Sequence, residues 1–446
     1  MKKVDILFLY ETKVRELENI CLLKYELERR GYSVAILNTW NELGHTGRPK
    51  YDAKVVVTHA MYHDGIYEFV RSIVGKVPKV VNMQCEQVGT IRDDESDDAR
   101  FVLRGVASQC MNICWGQQTV NRLVEKSKID LAHLCLAGQI TLDFCRPELR
   151  GYYCPRQEIS RMYGLPKNCE LNLFISSFAY VNLPDNIVAQ SEIKDKDVFI
   201  RCSQKSFDGI LQWFDDLLCQ RHDQVIIYRP HPAEANNSQL NTLVQKHLNR
   251  FFVIGQHSVK QWLAISDRVY TWYSSAIAEA YMFGVPCAIL RPVEISRDME
   301  IALFEKAQFI TDYAGFLNSI ENGINISIDP EIFAKFYDVT HAMSYIRVAD
   351  AIEMVLKDDK YLIKNPPALP KKTLKLRIKE TVRAGVGLVA NRLPEKIHLL
   401  DRYRVPKASI DPYTLQRREN NFASNEEIRE IQEKIDKLLS IRRHIL

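Results

Sequence analysis

Short continuous apolar runs alternate along this chain with longer stretches in which apolar residues recur every three or four positions. The first run, VDILFLY, is followed by VRELENICLLKYELERRG, whose apolar residues share one helical face and stop at a glycine. YSVAILN, AKVVVTH, PKVVNMQ, CMNICWG and LAHLCLAG continue the strand series, with MYHDGIYEFVRSIVGK as a helix among them. Apolar strands separated by helices predict a parallel sheet covered on both faces. Residues 151–170 read as a bridging helix with turns at both ends, and then the pattern restarts. LNLFISS, QVIIYRP, RFFVIG, RVYTWYSS and VPCAILR are predicted strands, and FDGILQWFDDLLCQRH, LNTLVQKHLN, VKQWLAIS and AIAEAYMFG the helices between them. The expectation is an α/β protein of two successive units, residues 1–150 and 151–360. Residues 361–446 change character. They open with a proline-rich linker, continue as a basic amphipathic stretch, and end in SNEEIREIQEKIDKLLSIRRHIL, where Ser424 and Glu427 form a capping box before a regular apolar stripe.

Length and composition agree with this division. At 446 residues the chain is too long for one ordinary core, and 46% apolar with 26% charged residues is a soluble globular composition. No apolar run approaches the ~20 residues of a membrane span. Asp5 interrupts the N-terminal apolar stretch, which therefore reads as a buried first strand and not as a signal peptide. The 11 cysteines are scattered without a C-x-x-C pair, the pattern of reduced thiols in a cytoplasmic protein with no structural zinc. Charge is unevenly placed. Residues 361–446 hold 19 Lys/Arg against 10 Asp/Glu, so a basic extension sits on a mildly acidic body and points to an anionic surface as partner.

Candidate chemistry collects at predicted strand ends, where open α/β sheets bind ligands. In VIIYRPHPAE, Pro230 and Pro232 hold His231 in extended geometry just past a strand. Arg229 precedes it and offers charge neutralisation; the bland alternative is a rigid turn with a surface arginine. YTWYSSAIAEAYMFGVP presents Ser274 and Ser275 between strand and helix, with Glu279 one turn further on. Such hydroxyls suit a phosphate, or simply cap a helix. LFISSFAYVN adds Ser176 and Ser177 at a third strand end.

These residues resemble bacterial surface-polysaccharide glycosyltransferases of the GT-B type that carry HP and SS motifs: sialyltransferases, polysialyltransferases and capsule Kdo transferases. His231-Pro232 matches the HP motif and Ser274-Ser275 the SS motif. LAGQITLDFCRPE (residues 136–148) and SSAIAEAYMFGVPCAI are also similar to segments of CDP-glycerol glycerophosphotransferases. The resemblance covers about residues 1–355 in pattern. It implies two Rossmann-like domains with a cleft between them, an N-terminal acceptor domain and a C-terminal domain for the nucleotide-sugar donor, and a helical basic C-terminal extension. It further implies that His231, Pro232 and the two serines hold the phosphate of a CMP-activated sugar. The third motif of the family, an acidic pair followed by glycine, supplies the general base. Here QCEQVG offers Glu86, but Gln87 replaces the second acid and Val88 intrudes before Gly89. Asp94, in the acidic run that follows, is a secondary candidate.

Inverting transfer needs a base for the acceptor hydroxyl and a group to neutralise the departing phosphate. Glu86 and His231 are the catalytic candidates. Arg229, Pro232, Ser274, Ser275, Glu279, Ser176 and Ser177 are assigned to the donor, and Glu11, Arg15 and His59 to the acceptor; Glu11 and Arg15 equally suit an intrahelical ion pair. No D-x-D stands at a convincing strand end, and His59 with His63 lacks further ligands, so no metal or other cofactor is expected. Residues 371–410, with 11 basic and 3 acidic side chains, suit either an anionic membrane surface or packing against the acidic body. No nucleic-acid module is present.

The expected function is transfer of a sugar from a nucleotide donor, CMP-linked Kdo or a sialic-acid-like sugar, onto a glycan or glycolipid acceptor during capsule or O-antigen synthesis. The setting is the cytoplasm, at the inner face of the cytoplasmic membrane. Alternatives are a CDP-glycerol-type polyol phosphate transferase, a UDP-sugar GT-B transferase in which Glu279 holds a ribose, and a non-catalytic glycan-binding protein on a degenerate GT-B fold.

Overall fold

The computed structural model describes residues 1–39, 50–95, 101–181, 195–234, 236–324, 328–340, 342–367 and 420–443. The first sheet contains β1 (Lys2–Tyr10), β2 (Val34–Asn38), β3 (Tyr51–Thr58), β4 (Val80–Asn82), β5 (Met111–Cys114) and β6 (Leu134–Leu136), in the order β2-β1-β3-β4-β5-β6. All its pairings are parallel. Helices α1 (Lys13–Arg29), α2 (Asp64–Val74), α3 (Ile91–Glu95), α4 (Gln117–Glu125) and α5 (Ile140–Asp143) follow its strands, and α6 (Arg156–Tyr163) bridges to the second unit. Apolar strands with both faces covered are what the continuous runs dictated.

The second sheet is also wholly parallel, in the order β12-β11-β10-β7-β8-β9. It comprises β7 (Glu170–Ile175), β8 (Gln224–Arg229), β9 (Phe251–Val253), β10 (Arg268–Thr271), β11 (Cys287–Leu290) and β12 (Phe309–Ile310). Its helices are α7 (Lys196–Gln220), α8 (Ser238–Lys246), α9 (Val259–Leu263), α10 (Ile277–Phe283) and α11 (Tyr313–Asn322). β12 has two residues and was not foreseen, because a run that short has no periodicity to read.

In each sheet the strand order reverses once, between β1 and β3 in the first and between β7 and β10 in the second. At such points neighbouring crossovers diverge to opposite faces and leave a crevice at the carboxyl ends of the strands. One apolar cluster joins the two units: it includes Phe8, Val55 and Met111 from the first sheet and Leu173, Ile227 and Val269 from the second.

After β12 the chain passes through α11 and α12 (Pro330–Phe336) and then returns. α13 (Ser344–Lys357), placed within 151–360 by the sequence pattern, packs on α1 and the first sheet. Three features hold it there. Asp143 accepts from the Ser344 and Tyr345 amides at 2.9 and 2.7 Å, satisfying free N–H groups at the helix start. Arg30 reaches Asp350 and Glu353 at 2.6 and 2.9 Å. Gly138, at φ +78°, leaves only 2.5 Å between an added Cβ and the Asp338 carbonyl, so the returning chain approaches too closely for any side chain.

The terminal helix, α14 (Asn425–Arg443), lies against α1 and the 3₁₀ turn Arg150–Tyr152, burying Ile435. Ser424 Oγ accepts from the Glu427 amide at 3.0 Å, as its capping sequence requires, while the Glu427 carboxylate turns to Lys13 at 3.2 Å. The basic stretch 371–410 lies outside the described residues. Among the described residues no helix is long and apolar enough to cross a membrane.

Candidate active site

β1 ends at Tyr10, and the chain turns through Glu11 and Thr12 into α1. Glu16 folds back over this turn: its carboxylate accepts from the Glu11 and Thr12 amides at 3.1 and 2.8 Å. Burial pushes its pKa up, against the pull of nearby His59 and those two amides. With Glu16 holding the turn, Arg15 projects into the cleft. Its Nη1 lies 3.4 Å from Glu86 Oε1 and its Nη2 2.9 Å from His231 Nε2. Glu11 Oε2 meets His59 Nε2 at 3.5 Å, so these two stand together at the β1/β3 switch point. Glu11 thus meets His59 within the first unit, whereas Arg15 reaches across the cleft to His231. His63 lies elsewhere, its Nδ1 accepting from the Gly65 amide at 3.1 Å to cap α2.

Glu86 follows β4 through a sharp bend. Gln84 has φ +43°, a conformation that non-glycine residues seldom adopt, and its buried side-chain carboxamide has no hydrogen-bond partner. Beyond Glu86 the loop is pinned by Gln87. The Gln87 Nε2 donates to the Ile113 carbonyl at 2.7 Å, its Oε1 accepts from the Trp115 amide at 2.8 Å, and Arg122 donates to its carbonyl at 3.0 Å. Asp93 caps α3, its carboxylate accepting from the Thr90 amide at 2.9 Å. The side chain of Asp94 lies outside the described residues.

On the opposite wall His231 follows β8. Its Nδ1 accepts from the Ala233 amide at 3.1 Å, and its own amide donates to Glu234 Oε2 at 3.0 Å. Glu234 in turn accepts from Ser176 Oγ and Tyr228 OH, each at 2.6 Å, and burial raises its pKa. A neutral imidazole has one lone pair and one N–H. With the proton on Nδ1, His231 Nε2 accepts from Arg15 Nη2; with the proton on Nε2, as the Ala233 contact favours, two N–H groups from different units meet at one point of the cleft, and an anion beside them can accept from both.

Several assignments change. Arg229 does not face the cleft: its buried guanidinium donates to the carbonyls of Gly255, Gln256 and His257 at 3.0, 3.3 and 2.6 Å. Burial lowers its pKa to about 10. Ser176 is likewise buried and bonded to Glu234 and Tyr228, so it supports the His231 turn. The Ser177 hydroxyl is buried with no hydrogen-bond partner. Pro232 and Ser275 are exposed, and half-buried Ser274 accepts weakly from the Ala276 amide at 3.3 Å.

Glu279 is half-buried on α10, and burial raises its pKa while Lys260 and Arg15 pull it down. Lys260 itself is buried on α9 and pairs with Glu18 of α1 at 3.2 Å; Ser258 and Tyr153 donate to the same carboxylate at 3.0 and 3.2 Å. This tether between the two units, together with Glu234 and Gln87, was not assigned a role from sequence. Glu234 flanks the histidine motif visibly, whereas Glu18 and Lys260 have no local signal to join them.

For a cation, the described residues offer one mixed group, Asp215, Cys219 and His247, with ligand atoms within 4.8 Å. It lies near the end of α7 and the start of β9, at the amino-terminal edge of the second sheet and away from the cleft. Lys246 already neutralises Asp215 at 2.7 Å.

No family model and no curated protein matches this sequence. Among solved structures, the chain is similar to the wall teichoic acid polymerase TagF in a histidine-to-asparagine variant soaked with CDPG, with TM-score 0.51 and 12% identity over 79% of this chain and 88% of that one. A histidine-to-alanine TagF variant gives TM-score 0.50 and 13% identity over 79% and 89%. A putative UDP-N-acetylglucosamine 2-epimerase from Listeria monocytogenes gives TM-score 0.48 and 14% identity over 82% and 99%. At these identities the TagF likeness concerns the fold. The chain has the GT-B arrangement of two six-stranded parallel α/β sheets.

Proposed function

We propose that the protein is a GT-B transferase of bacterial surface-polysaccharide synthesis that moves an acidic sugar from a CMP-linked donor to a glycan or glycolipid acceptor. The observation that carries this reading is the approach of Arg15 Nη2 to His231 Nε2, 2.9 Å apart across the cleft between the sheets. A phosphate seated there accepts from both, and Ser274 and Ser275 lie at the end of β10 beside the same switch point. Glu279, a half-buried carboxylate, suits the ribose hydroxyls of the nucleotide.

The sequence of events follows from charge. Arg15 lies 3.4 Å from Glu86. A donor phosphate draws the guanidinium away from Glu86, which is left to accept the proton of the acceptor hydroxyl. The oxygen attacks the anomeric carbon from the face opposite the CMP, with inversion, and the departing phosphate is neutralised by the Nε2–H of His231 and by Arg15. This scheme requires no metal ion. Glu11 and His59, at the first-sheet switch point, form the acceptor wall. The expected locations are the cytoplasm and the inner face of the membrane, with residues 371–410 as the basic surface.

A polyol phosphate transfer from a CDP-linked donor is the second reading, favoured by the TagF likeness and the CDPG soak named for that protein. Calorimetric titration of the full chain with CMP, CDP, UDP and GDP separates them. CMP-selective binding that His231→Ala abolishes supports the first reading; CDP selectivity moves the protein to the second; binding of none refutes both.

A further inference from the structure

A second set of contacts crosses between the units behind the cleft, and it begins at the serine loop. Tyr273, immediately before Ser274, donates its hydroxyl to the Met299 carbonyl. Arg291, at the end of β11, is buried beneath the same loop: its guanidinium carbon lies 5.5, 5.8 and 5.2 Å from the ring centres of Trp272, Tyr273 and Phe309. Its Nη2 donates to Glu300 Oε2 at 2.8 Å. From Met299 and Glu300 the chain pairs directly with the other unit. Glu300 accepts at its carbonyl from the Ile91 amide at 2.8 Å, Ile301 forms an antiparallel bridge with Thr90, and the Ala302 amide donates to Gly89 at 2.9 Å. Arg92 fastens the far end, reaching Asp298 at 2.7 Å and Asp195 at 2.8 Å.

Gly89 is three residues beyond Glu86, and Gln87 anchors the intervening loop to β5. Hydrogen bonds joined by short stretches of backbone therefore connect the turn bearing Ser274 to the loop bearing Glu86. We propose that Tyr273, Arg291 and Glu300 are positioning residues: they couple occupancy of the serine loop to the placement of Glu86, so that the nucleotide sets the base before the acceptor reacts. This rests on the functional reading above for the identity of the two ends, but not for the coupling itself. Coupling is reciprocal for binding, so an acceptor seated against Glu86 tightens the nucleotide.

Hydrogen exchange of the full chain, followed peptide by peptide, tests it in two arms. Without nucleotide, Tyr273→Phe removes one hydroxyl; it is expected to speed exchange at the Ile91 and Ala302 amides by about fivefold or more, with Ile226 in the sheet centre unchanged. With CMP or CDP at saturation, the wild-type protein is expected to slow the same two amides by a similar factor, and Tyr273→Phe and Glu300→Gln to lose that response while still binding. Glu300→Gln keeps the side-chain shape and the backbone bond, and serves if Tyr273→Phe does not fold. Unchanged exchange in the first arm, or a nucleotide response that survives both substitutions, overturns the coupling. If no nucleotide binds, the functional reading falls and the first arm alone still decides whether the serine loop and the Glu86 loop are joined.

Discussion

His231→Asn separates a ligand role from a structural one more sharply than removal to alanine. Asparagine places its Oδ1 where Nδ1 now accepts from the Ala233 amide at 3.1 Å, an Asx-turn that keeps the loop after β8. Nothing replaces Nε2. Folding stability should therefore change by no more than about 0.5 kcal/mol, as for substitutions that break no buried network. Nucleotide binding should lose one hydrogen bond to an ionised acceptor, worth about 1.5–3 kcal/mol, or roughly 10- to 150-fold in Kd. Arg15 is 48% exposed at its side chain, so Arg15→Gln should weaken binding less, by about 1 kcal/mol, and more visibly at low salt. Both groups meet one anion, so the double variant should lose less than the two single effects combined. Calorimetry with CMP and chemical denaturation of the same samples give both quantities. Unaltered CMP affinity in His231→Asn would refute the reasoning, as would a loss of stability as large as the loss of binding.

Asp143→Asn probes the junction with α13 through pH. Burial raises the Asp143 pKa from 3.8 to about 6, so the folded state binds more protons than the unfolded one between these values. The stability it contributes is complete below about pH 4 and is lost as pH rises through 6, by roughly 3 kcal/mol; urea unfolding of the variant should lack that slope. Arg229→Met leaves three loop carbonyls without their buried donor, and should destabilise by about 3 kcal/mol with faster hydrogen exchange at residues 255–257. Ile435→Ala opens a cavity under α14 and should loosen its docking by about 2–5 kcal/mol, read as earlier proteolysis within residues 420–443.

The strands and their ends were legible because each is a continuous apolar run, and a parallel order fixes which ends carry ligands. His231, Glu86 and Arg15 all follow such ends, or lie one helical turn beyond, and the fold brings them together. Arg229 and Ser176 show the limit of this reading. Both stand at strand ends, yet adjacent positions of a strand point to opposite faces, and the two side chains turn inward to hold a loop and a turn. Sequence position placed these residues at strand ends and could not tell which face each side chain takes. The return of α13 was illegible for another reason: Asp143 and Ser344 are 201 residues apart, and nothing local in either segment announces the other.

Gln87 resolves the departure from the acidic pair that the resemblance had led one to expect. The position is buried, and it must both donate to the Ile113 carbonyl and accept from the Trp115 amide. An ionised carboxylate accepts only, so an acid here would take the side-chain donor from the Ile113 carbonyl and bury a charge. A glutamine meets both demands and fixes the loop on which the exposed acid stands. The residue in place of the second carboxylate thus has a structural task of its own. It belongs to a loop anchored by an amide, with Glu86 directed outward beside Arg15 and the other side of Gln87 running into the Gly89–Ala302 contact that joins the two units.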